Sequence, residues 1–298
     1  MCVTAFSLLM MAQEQPLSTV LQVTFDSGTL GETFAYTMYL PAGYEDSQTR
    51  YPTLYLLHGR GDTMSAWLEV RDALDTLIAG GELPPLVAIM PDAPWSERAS
   101  YYVDSQYTGF PPGMRVETAF FHDLIPHIEA TCRTLAGRES RVIGGYSMGG
   151  YGTLRYALAH PHDFSGAVIL SPAVYTPLPP QDSSVREFGA FGRDNSLFDE
   201  TIYQRLNYPA LLKDFEEADL PLYMFIAAGD DEWKNPNPAD YLHDIDVESH
   251  LLYNRVSRVA NISAELRIYD GGHDWDVWRR GFIEGMQFIA PHLWTLTG

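Results

Sequence analysis

The chain has little cysteine, little positive charge and no long hydrophobic run, and each of these shortages excludes a class of protein. Only two of its 298 residues are cysteine, Cys2 and Cys132, so a disulfide framework is excluded. Lysine and arginine number 19 against 39 aspartates and glutamates, which gives a net charge of −20. This excess of negative charge argues against nucleic acid and anionic membrane surfaces as partners. No stretch is long enough to cross a bilayer, so we expect a soluble protein.

The sequence also lacks internal repeats, a glycine-rich nucleotide loop and any cluster with the spacing of metal ligands. The pair His160 and His162 is too small a set to hold a metal ion. We therefore expect neither a metal nor a cofactor. Residues 1–16 begin with a short apolar segment and are interpreted as an N-terminal extension or the remnant of a signal peptide, although a basic region is missing. The compartment (cytoplasmic, secreted or periplasmic) and the oligomeric state stay open.

What the chain does contain is an alternation of short apolar strands with helical segments, after a hairpin at 17–25 and 33–40. This order predicts an α/β fold with a doubly wound, mostly parallel sheet and antiparallel N-terminal strands. Hydrophobic residues make up 46% of the chain, enough for one large core, so residues 17–298 are predicted to form one domain. Residues 173–220 lack a strand period and are predicted to be a cap insertion over the site. Further strands are predicted at 53–57, 86–90, 142–147, 167–170, 222–227 and 262–269, and helices at 64–79, 116–134, 238–259 and 277–291.

The segment Gly145-Tyr146-Ser147-Met148-Gly149 lies where a predicted buried strand meets a predicted helix. A G-x-S-x-G pattern in this strand–turn–helix context indicates a nucleophile elbow. The glycines are needed because a Cβ at either place would collide with the neighbouring strand or helix. The sharp turn leaves the hydroxyl beside a free helix N-terminus, which favours developing negative charge. Ser147 is therefore the predicted nucleophile.

A serine hydroxyl at neutral pH needs a base within hydrogen-bond reach. In folds with this elbow the serine is followed along the chain by an acid and then by a histidine. His273 follows Gly271-Gly272 in the turn between the last predicted strand and the last predicted helix, and it is the predicted base. Surface or capping roles explain the other downstream histidines better, namely His160, His162, His243, His250 and His292.

The acid is expected directly after the strand at 222–227, where Asp230, Asp231 and Glu232 are consecutive. Its task is to fix the tautomer of the histidine and to stabilise the imidazolium that forms, which either an aspartate or a glutamate can do. The residues themselves leave Asp231 and Glu232 as alternatives.

Two backbone N–H groups should form the oxyanion hole. One is predicted to be that of Met148, the residue after the nucleophile. The other should come from the loop after the strand at 53–57, where Gly59 lets the backbone approach the acyl group and the N–H of Arg60 is the candidate. His58 is interpreted as a structural hydrogen-bonding residue under this loop and not as a second base.

Four stretches of the chain, taken in order, resemble a known family. The stretches are Leu56–Asp62, Phe121–Glu129, Gly144–Gly152 and Asp270–Trp275. They are similar to the esterase D and feruloyl esterase branch of the α/β-hydrolase superfamily, which also includes S-formylglutathione hydrolase, enterochelin esterases and mycolyltransferases. The resemblance implies an α/β-hydrolase fold and a serine carboxylic-ester hydrolase that works through an acyl-enzyme. It also implies an acid three residues after the strand-end glycine, which is Glu232; an aspartate is more usual there, so Asp231 remains the alternative.

Within that branch the chain is most similar to esterases that act on carbohydrate. We therefore expect a small-molecule or carbohydrate-linked ester as substrate, with feruloyl or acetyl esters of plant cell-wall carbohydrate first. The alternatives are a short-chain or S-formylglutathione-type esterase, an acyltransferase with the same triad, and a non-catalytic binding protein on the hydrolase scaffold. The predicted substrate contacts, several of them in an aromatic cleft, are Gly59, Tyr101, Tyr102, Trp233 and Trp275.

Overall fold

A computed structural model describes residues 18–93, 100–232 and 237–293 of the protein, without the side chain of Pro238. Eight strands form one sheet in the order β1-β2-β4-β3-β6-β7-β9-β10, and β5 pairs with β8 apart from it. The strands are β1 (Thr19–Ser27), β2 (Glu32–Leu40), β3 (Thr53–Leu57), β4 (Val87–Pro91), β5 (Gln106–Tyr107), β6 (Arg141–Tyr146), β7 (Gly166–Leu170), β8 (Arg193–Asp194), β9 (Leu222–Gly229) and β10 (Ile262–Tyr269).

Helices cover both faces of the sheet. They are α1 (Arg71–Ala79), α2 (Val116–Ala119), α3 (Ile125–Thr131), α4 (Met148–Ala159), α5 (Glu200–Leu206), α6 (Leu212–Glu217), α7 (Ile245–Val256) and α8 (Trp275–Ile289), with a π-helical turn at Phe120–Leu124. Successive residues of β3 alternate between two cores: Tyr55 packs with α3 and α4 on one face, and Leu54 packs with α1 and α8 on the other. Burial on both faces explains why the central strands are continuous apolar runs.

The predicted sheet is confirmed. The strand β1 pairs antiparallel with β2, and β2 pairs antiparallel with β4, whereas all the later neighbours in the sheet are parallel. Because the strands β3, β6, β7, β9 and β10 run in one direction, the loops that follow them meet at one edge of the sheet. Ligand sites of α/β proteins lie at this carboxyl edge.

Several details differ from the sequence-based expectation. The helix predicted at 116–134 is divided by the π-helical turn and ends at Thr131, since Cys132 has extended backbone geometry. The predicted helices at 64–79 and 238–259 each begin as a 3-10 helix, at Ala66–Val70 and Pro238–His243. The pairing of β5 with β8 was not predicted, because two-residue strands leave no period to detect.

Residues 173–220 contain the short elements β8, α5 and α6 together with two 3-10 turns. They stand between β7 and β9, which are neighbours in the sheet, so this segment is an excursion away from the sheet. None of the helices in the three described ranges is both long and apolar enough to cross a membrane. Residues 1–16, interpreted above as an extension or signal remnant, lie outside the described residues.

Candidate active site

The turn between β6 and α4 holds Ser147 in strained backbone geometry, with φ 55° and ψ −118°. The flanking glycines make this turn possible. A Cβ on Gly145 would lie 2.2 Å from the carbonyl oxygen of Gly149, and a Cβ on Gly149 would lie 2.0 Å from the carbonyl oxygen of Leu57. Any side chain at either place would therefore push β3, β6 and α4 apart.

Backbone strain is concentrated around this serine. Among the described residues, six that are not glycine have positive φ, and four of them belong to loops at this edge of the sheet: Tyr101, Tyr102, Ser147 and Ser171. Such geometry costs on the order of 1–3 kcal/mol per residue and is retained where the surroundings impose it. Strain of this kind is typical of functional sites.

His273 and Glu232 form a hydrogen-bonded pair in the loops after β10 and β9. The His273 Nδ1 atom lies 2.5 Å from Glu232 Oε2, and Glu232 is only 3% exposed. The other carboxylate oxygen, Oε1, accepts hydrogen bonds from the Gly229 N–H at 2.9 Å and from the Ser171 hydroxyl. Trp278 Nε1 donates to that same hydroxyl at 3.0 Å. The glutamate is therefore fixed on both of its oxygens, and the histidine is held by one of them.

The alternative acid is differently placed. Asp231 is exposed, and its backbone N–H donates to the Gly271 carbonyl at 2.9 Å. It lies in an exposed cluster with Asp230 and Asp270, whose carboxylate oxygens lie within 4.8 Å of one another. Exposed acidic groups gather in this way without an ion, so we assign no metal to the cluster. The geometry favours Glu232 as the partner of the histidine.

Ser147 and His273 line one cavity of about 350 Å³. The loops after β3 and β4, the excursion after β7 and the first residue of α7 complete its wall. Polar and aromatic groups dominate the lining, which also includes Arg60, Tyr101, Ala173, Tyr175, Asp182, Ser183, Ser184 and Ile245. Tyr175 and residues 182–184 were not predicted, because the excursion carries no motif that distinguishes them.

Two tyrosine hydroxyls in this wall remain protonated at neutral pH. Burial raises the pKa of Tyr175 to about 12, and burial also raises the pKa of Tyr101 well above its ordinary value. Each of these hydroxyls can therefore donate a hydrogen bond to a substrate oxygen as well as accept one.

The loop after β3 is held by hydrogen bonds from four directions. The Ala93 N–H donates to His58 Nε2 at 2.9 Å, so that nitrogen is an acceptor and the proton of this fully buried imidazole is on Nδ1. Nδ1 in turn donates to the Gly59 carbonyl at 2.8 Å, and the Tyr102 hydroxyl donates to the His58 carbonyl at 3.0 Å. Tyr146 spans the loop, since its hydroxyl donates to Asp62 at 2.6 Å.

This network fixes the direction of a backbone N–H. A trans peptide directs its N–H away from its carbonyl oxygen, so anchoring the Gly59 carbonyl also orients the Arg60 N–H. Gly59 must be glycine here, because a Cβ would lie 2.5 Å from the Tyr146 ring. Met148 is the first residue of α4, so its N–H has no acceptor within the helix. Both predicted oxyanion donors therefore belong to backbone that flanks Ser147.

The predicted substrate contacts fall into different places. Tyr101 lines the cavity. Gly59 lies beside the nucleophile, because a Cβ placed on it would be 3.5 Å from the Cβ of Ser147. The prediction that Tyr102 contacts substrate is wrong, because this residue is 1% exposed and its ring packs against Gly152 of α4. Trp275 lies outside the cavity lining, and Trp233 lies outside the described residues.

The ring of Trp275 packs in an aromatic cluster and not in a cleft. Its centroid lies 5.4 Å from that of Trp67, 5.1 Å from that of Tyr146 and 5.5 Å from that of Trp278. Trp278 itself packs edge-on against His273 at 5.0 Å. Edge-to-face pairs at these distances stabilise the folded loop, so these tryptophans support the histidine and the acid.

The sequence and the structure can be compared with known proteins at this point. An endo-1,4-beta-xylanase/feruloyl esterase of Xylanibacter ruminicola is 32% identical over 167 residues, which cover 52% of this chain and 22% of that protein. An acetyl esterase of Caldicellulosiruptor saccharolyticus is 24% identical over 293 residues, which cover 91% of this chain and 98% of that protein. The chain thus spans about a fifth of the first relative and nearly all of the second.

Among solved structures, a ferulic acid esterase superposes with a TM-score of 0.73 and 26% identity, covering 92% of this chain and 98% of that one. This similarity, with the sheet described above, identifies an α/β-hydrolase fold. The profile of the family described as Putative esterase matches residues 27–289, most of the chain and all of the loops that build the site. The chain belongs to that family of esterases.

Proposed function

We propose that the protein is a serine carboxylic-ester hydrolase in which Ser147, His273 and Glu232 form the catalytic triad. One observation carries the proposal: a strained serine shares a cavity with a histidine whose far nitrogen is bonded to a buried carboxylate. The remaining imidazole nitrogen, Nε2, is left to act as the base. This is the arrangement that activates a serine hydroxyl.

In the acylation step, Ser147 Oγ attacks the ester carbonyl carbon while its proton passes to His273 Nε2. Glu232 stabilises the imidazolium that results, without taking the proton itself. The carbonyl oxygen becomes an oxyanion, which the N–H groups of Met148 and Arg60 stabilise. The tetrahedral intermediate then loses the alcohol, whose oxygen takes the proton from His273. The product of this half-reaction is an acyl-enzyme on Ser147.

Deacylation repeats these steps with water in place of the alcohol. His273 Nε2 removes a proton from the water as its oxygen attacks the acyl carbon, and the same proton returns to Ser147 Oγ when the acyl–serine bond breaks. The free acid leaves the cavity and the resting enzyme is restored. No group beyond the residues of this chain and one water is needed to balance the reaction.

For substrate we propose feruloyl or acetyl esters of plant cell-wall carbohydrate. The two relatives, an endo-1,4-beta-xylanase/feruloyl esterase and an acetyl esterase, support this class. A cavity of about 350 Å³ has room for a phenylpropenoyl group, and the rings of Tyr101 and Tyr175 offer it aromatic contact. The polar side chains in the same wall offer hydrogen bonds to sugar hydroxyls.

The proposal is tested by measuring hydrolysis of methyl ferulate and p-nitrophenyl acetate by the wild type and by Ser147→Ala. We expect the substitution to lower kcat by roughly 10⁴- to 10⁶-fold on both esters. The wild-type ratio of kcat/KM for the two esters then measures the preference for the aromatic acyl group. A wild type that releases neither acid would contradict the proposal, and equal turnover of all short acyl esters would contradict its feruloyl part.

A further inference from the structure

Arg60 carries a positive charge into the wall of the catalytic cavity. Its side chain is exposed and lines the same cavity as Ser147 and His273. No ion pair in the part of the chain that the structure describes includes Arg60.

The reach of this side chain keeps its charge close to the reacting ester. Arg60 also supplies a proposed oxyanion donor, so its Cα lies next to the ester carbonyl. The guanidinium carbon is at most about 6 Å from that Cα, given single bonds of about 1.5 Å. A substrate carboxylate that it binds therefore lies only a few bonds from the ester.

The surroundings of the guanidinium favour a bound carboxylate. Its central carbon lies 5.6 Å from the centroid of the Phe188 ring, so one face has aromatic contact and the N–H edges stay available. Its charge also acts on the Tyr101 and Tyr175 hydroxyls, where it opposes the rise in pKa that burial causes. A planar fork of N–H donors beside the Phe188 ring suits two-point binding of a carboxylate.

An opposing charge lies in the same wall. Asp182 is exposed and lines the cavity, and its charge acts on the Tyr175 hydroxyl in the sense opposite to that of Arg60. Asp182 repels a substrate carboxylate, whereas Arg60 attracts one.

From these contacts we propose that Arg60 determines specificity for esters that carry a carboxylate close to the ester bond, such as esters formed on a hydroxyl of a uronic acid or half-esters of dicarboxylic acids. The inference rests on the proposed function, because it concerns the substrate of the same cavity. It goes beyond that function by separating charged from neutral esters.

Two matched substrate pairs test it. For the acyl side they are p-nitrophenyl hydrogen succinate and its methyl ester; for the alcohol side they are carboxymethyl ferulate and its methyl ester. The readout is the ratio of kcat/KM for the charged ester to that for its neutral partner. On at least one pair we expect Arg60→Gln to lower this ratio by about tenfold, as loss of a charge-assisted hydrogen bond does. Arg60→Lys keeps the positive charge and should retain part of the preference for the charged ester.

Asp182→Asn provides the opposite variant. Removing its charge should raise the charged-to-neutral ratio on the same pair, since a repulsive group is lost.

If Arg60→Gln leaves the ratio unchanged on both pairs while the neutral esters are still hydrolysed, the inference is wrong and the proposed function stands. If Arg60→Gln slows aromatic esters more than succinyl esters regardless of charge, the guanidinium binds aromatic rings, which also overturns the inference. A wild type that hydrolyses none of the four esters contradicts the proposed function itself.

Discussion

Replacing Glu232 with glutamine tests the assignment of the acid, because the structure determines which way the new amide must face. The Gly229 N–H and the Ser171 hydroxyl both donate to Oε1, so the amide carbonyl has to occupy that position. The amide NH₂ then faces His273 Nδ1, in the place of the oxygen that now lies 2.5 Å away. Two donors cannot share one hydrogen bond, so Nδ1 must become the acceptor.

That change moves the imidazole proton to Nε2, which is the nitrogen that must accept the proton of Ser147. We therefore expect Glu232→Gln to lower kcat by about 10⁴-fold, the size of the effect when a triad histidine is held in the wrong tautomer. This corresponds to about 5.4 kcal/mol in activation free energy at 1.36 kcal/mol per tenfold. The rate is measured with p-nitrophenyl acetate and methyl ferulate across pH.

Asp231→Asn is the matched control, because it makes the same chemical change one residue away on an exposed side chain. We expect it to stay within about threefold of the wild type, as surface substitutions usually do. Thermal unfolding of both variants establishes that each is folded. The assignment is refuted if Glu232→Gln keeps more than a tenth of the activity while Asp231→Asn loses three orders of magnitude.

Three further predictions concern buried polar groups. Burial raises the pKa of Glu117, but the hydrogen bond from His160 and the charge of Arg155 outweigh burial and hold this pKa below its ordinary value of 4.5. We expect Glu117→Gln to lower the free energy of unfolding by about 3 kcal/mol at pH 7. In urea titrations this difference should shrink as the pH falls below 4.5. Burial raises the pKa of Glu248, so its ionisation costs stability as the pH rises above 4.5. Glu248→Gln should therefore lose less free energy of unfolding than the wild type between pH 4.5 and pH 7 in urea titrations, and an equally steep loss in the variant would contradict the reasoning. His58→Gln should lower kcat by about 10²-fold with little change in KM, because the loop after β3 loses the hydrogen bond that orients the Arg60 N–H. An unchanged kcat would contradict this role of His58.

The nucleophile and its turn could be predicted from sequence because their requirements are local. Only small residues fit beside Ser147, and the apolar run before it has to be a strand. The residues alone located the acid without choosing it, because consecutive carboxylates offer the same chemistry, and only the family resemblance favoured Glu232 over Asp231. The choice depends on two loops that are distant in the chain: a Cβ on Gly229 would lie 2.1 Å from the Gly271 carbonyl, so these loops touch and bury the side chain of Glu232.

The aromatic residues show where the sequence is insufficient. Tyr101 and Tyr102 are neighbours in one strained turn, yet the first lines the cavity and the second is packed against α4. No pattern in the sequence distinguishes them, because their directions are set by the tertiary packing of that turn. Trp275 was predicted in a cleft, but the last helix begins at this residue and directs its ring into a cluster with Trp67.

Ser171 is the residue that sequence reasoning missed most clearly. It follows β7, has a φ of 41°, and its hydroxyl joins Glu232 to Trp278. A serine before a proline after a strand carries no signal of its own. Its role appears only when β7 and β9 lie side by side, as their parallel pairing requires.

The most direct test of the account is a mass measurement on the protein after reaction with a fluorophosphonate probe. The account predicts one adduct per chain, located on the peptide that contains Ser147, and no adduct on Ser147→Ala. An unmodified wild-type chain, or an adduct that persists in Ser147→Ala, would contradict the claim that this serine is the nucleophile of an esterase.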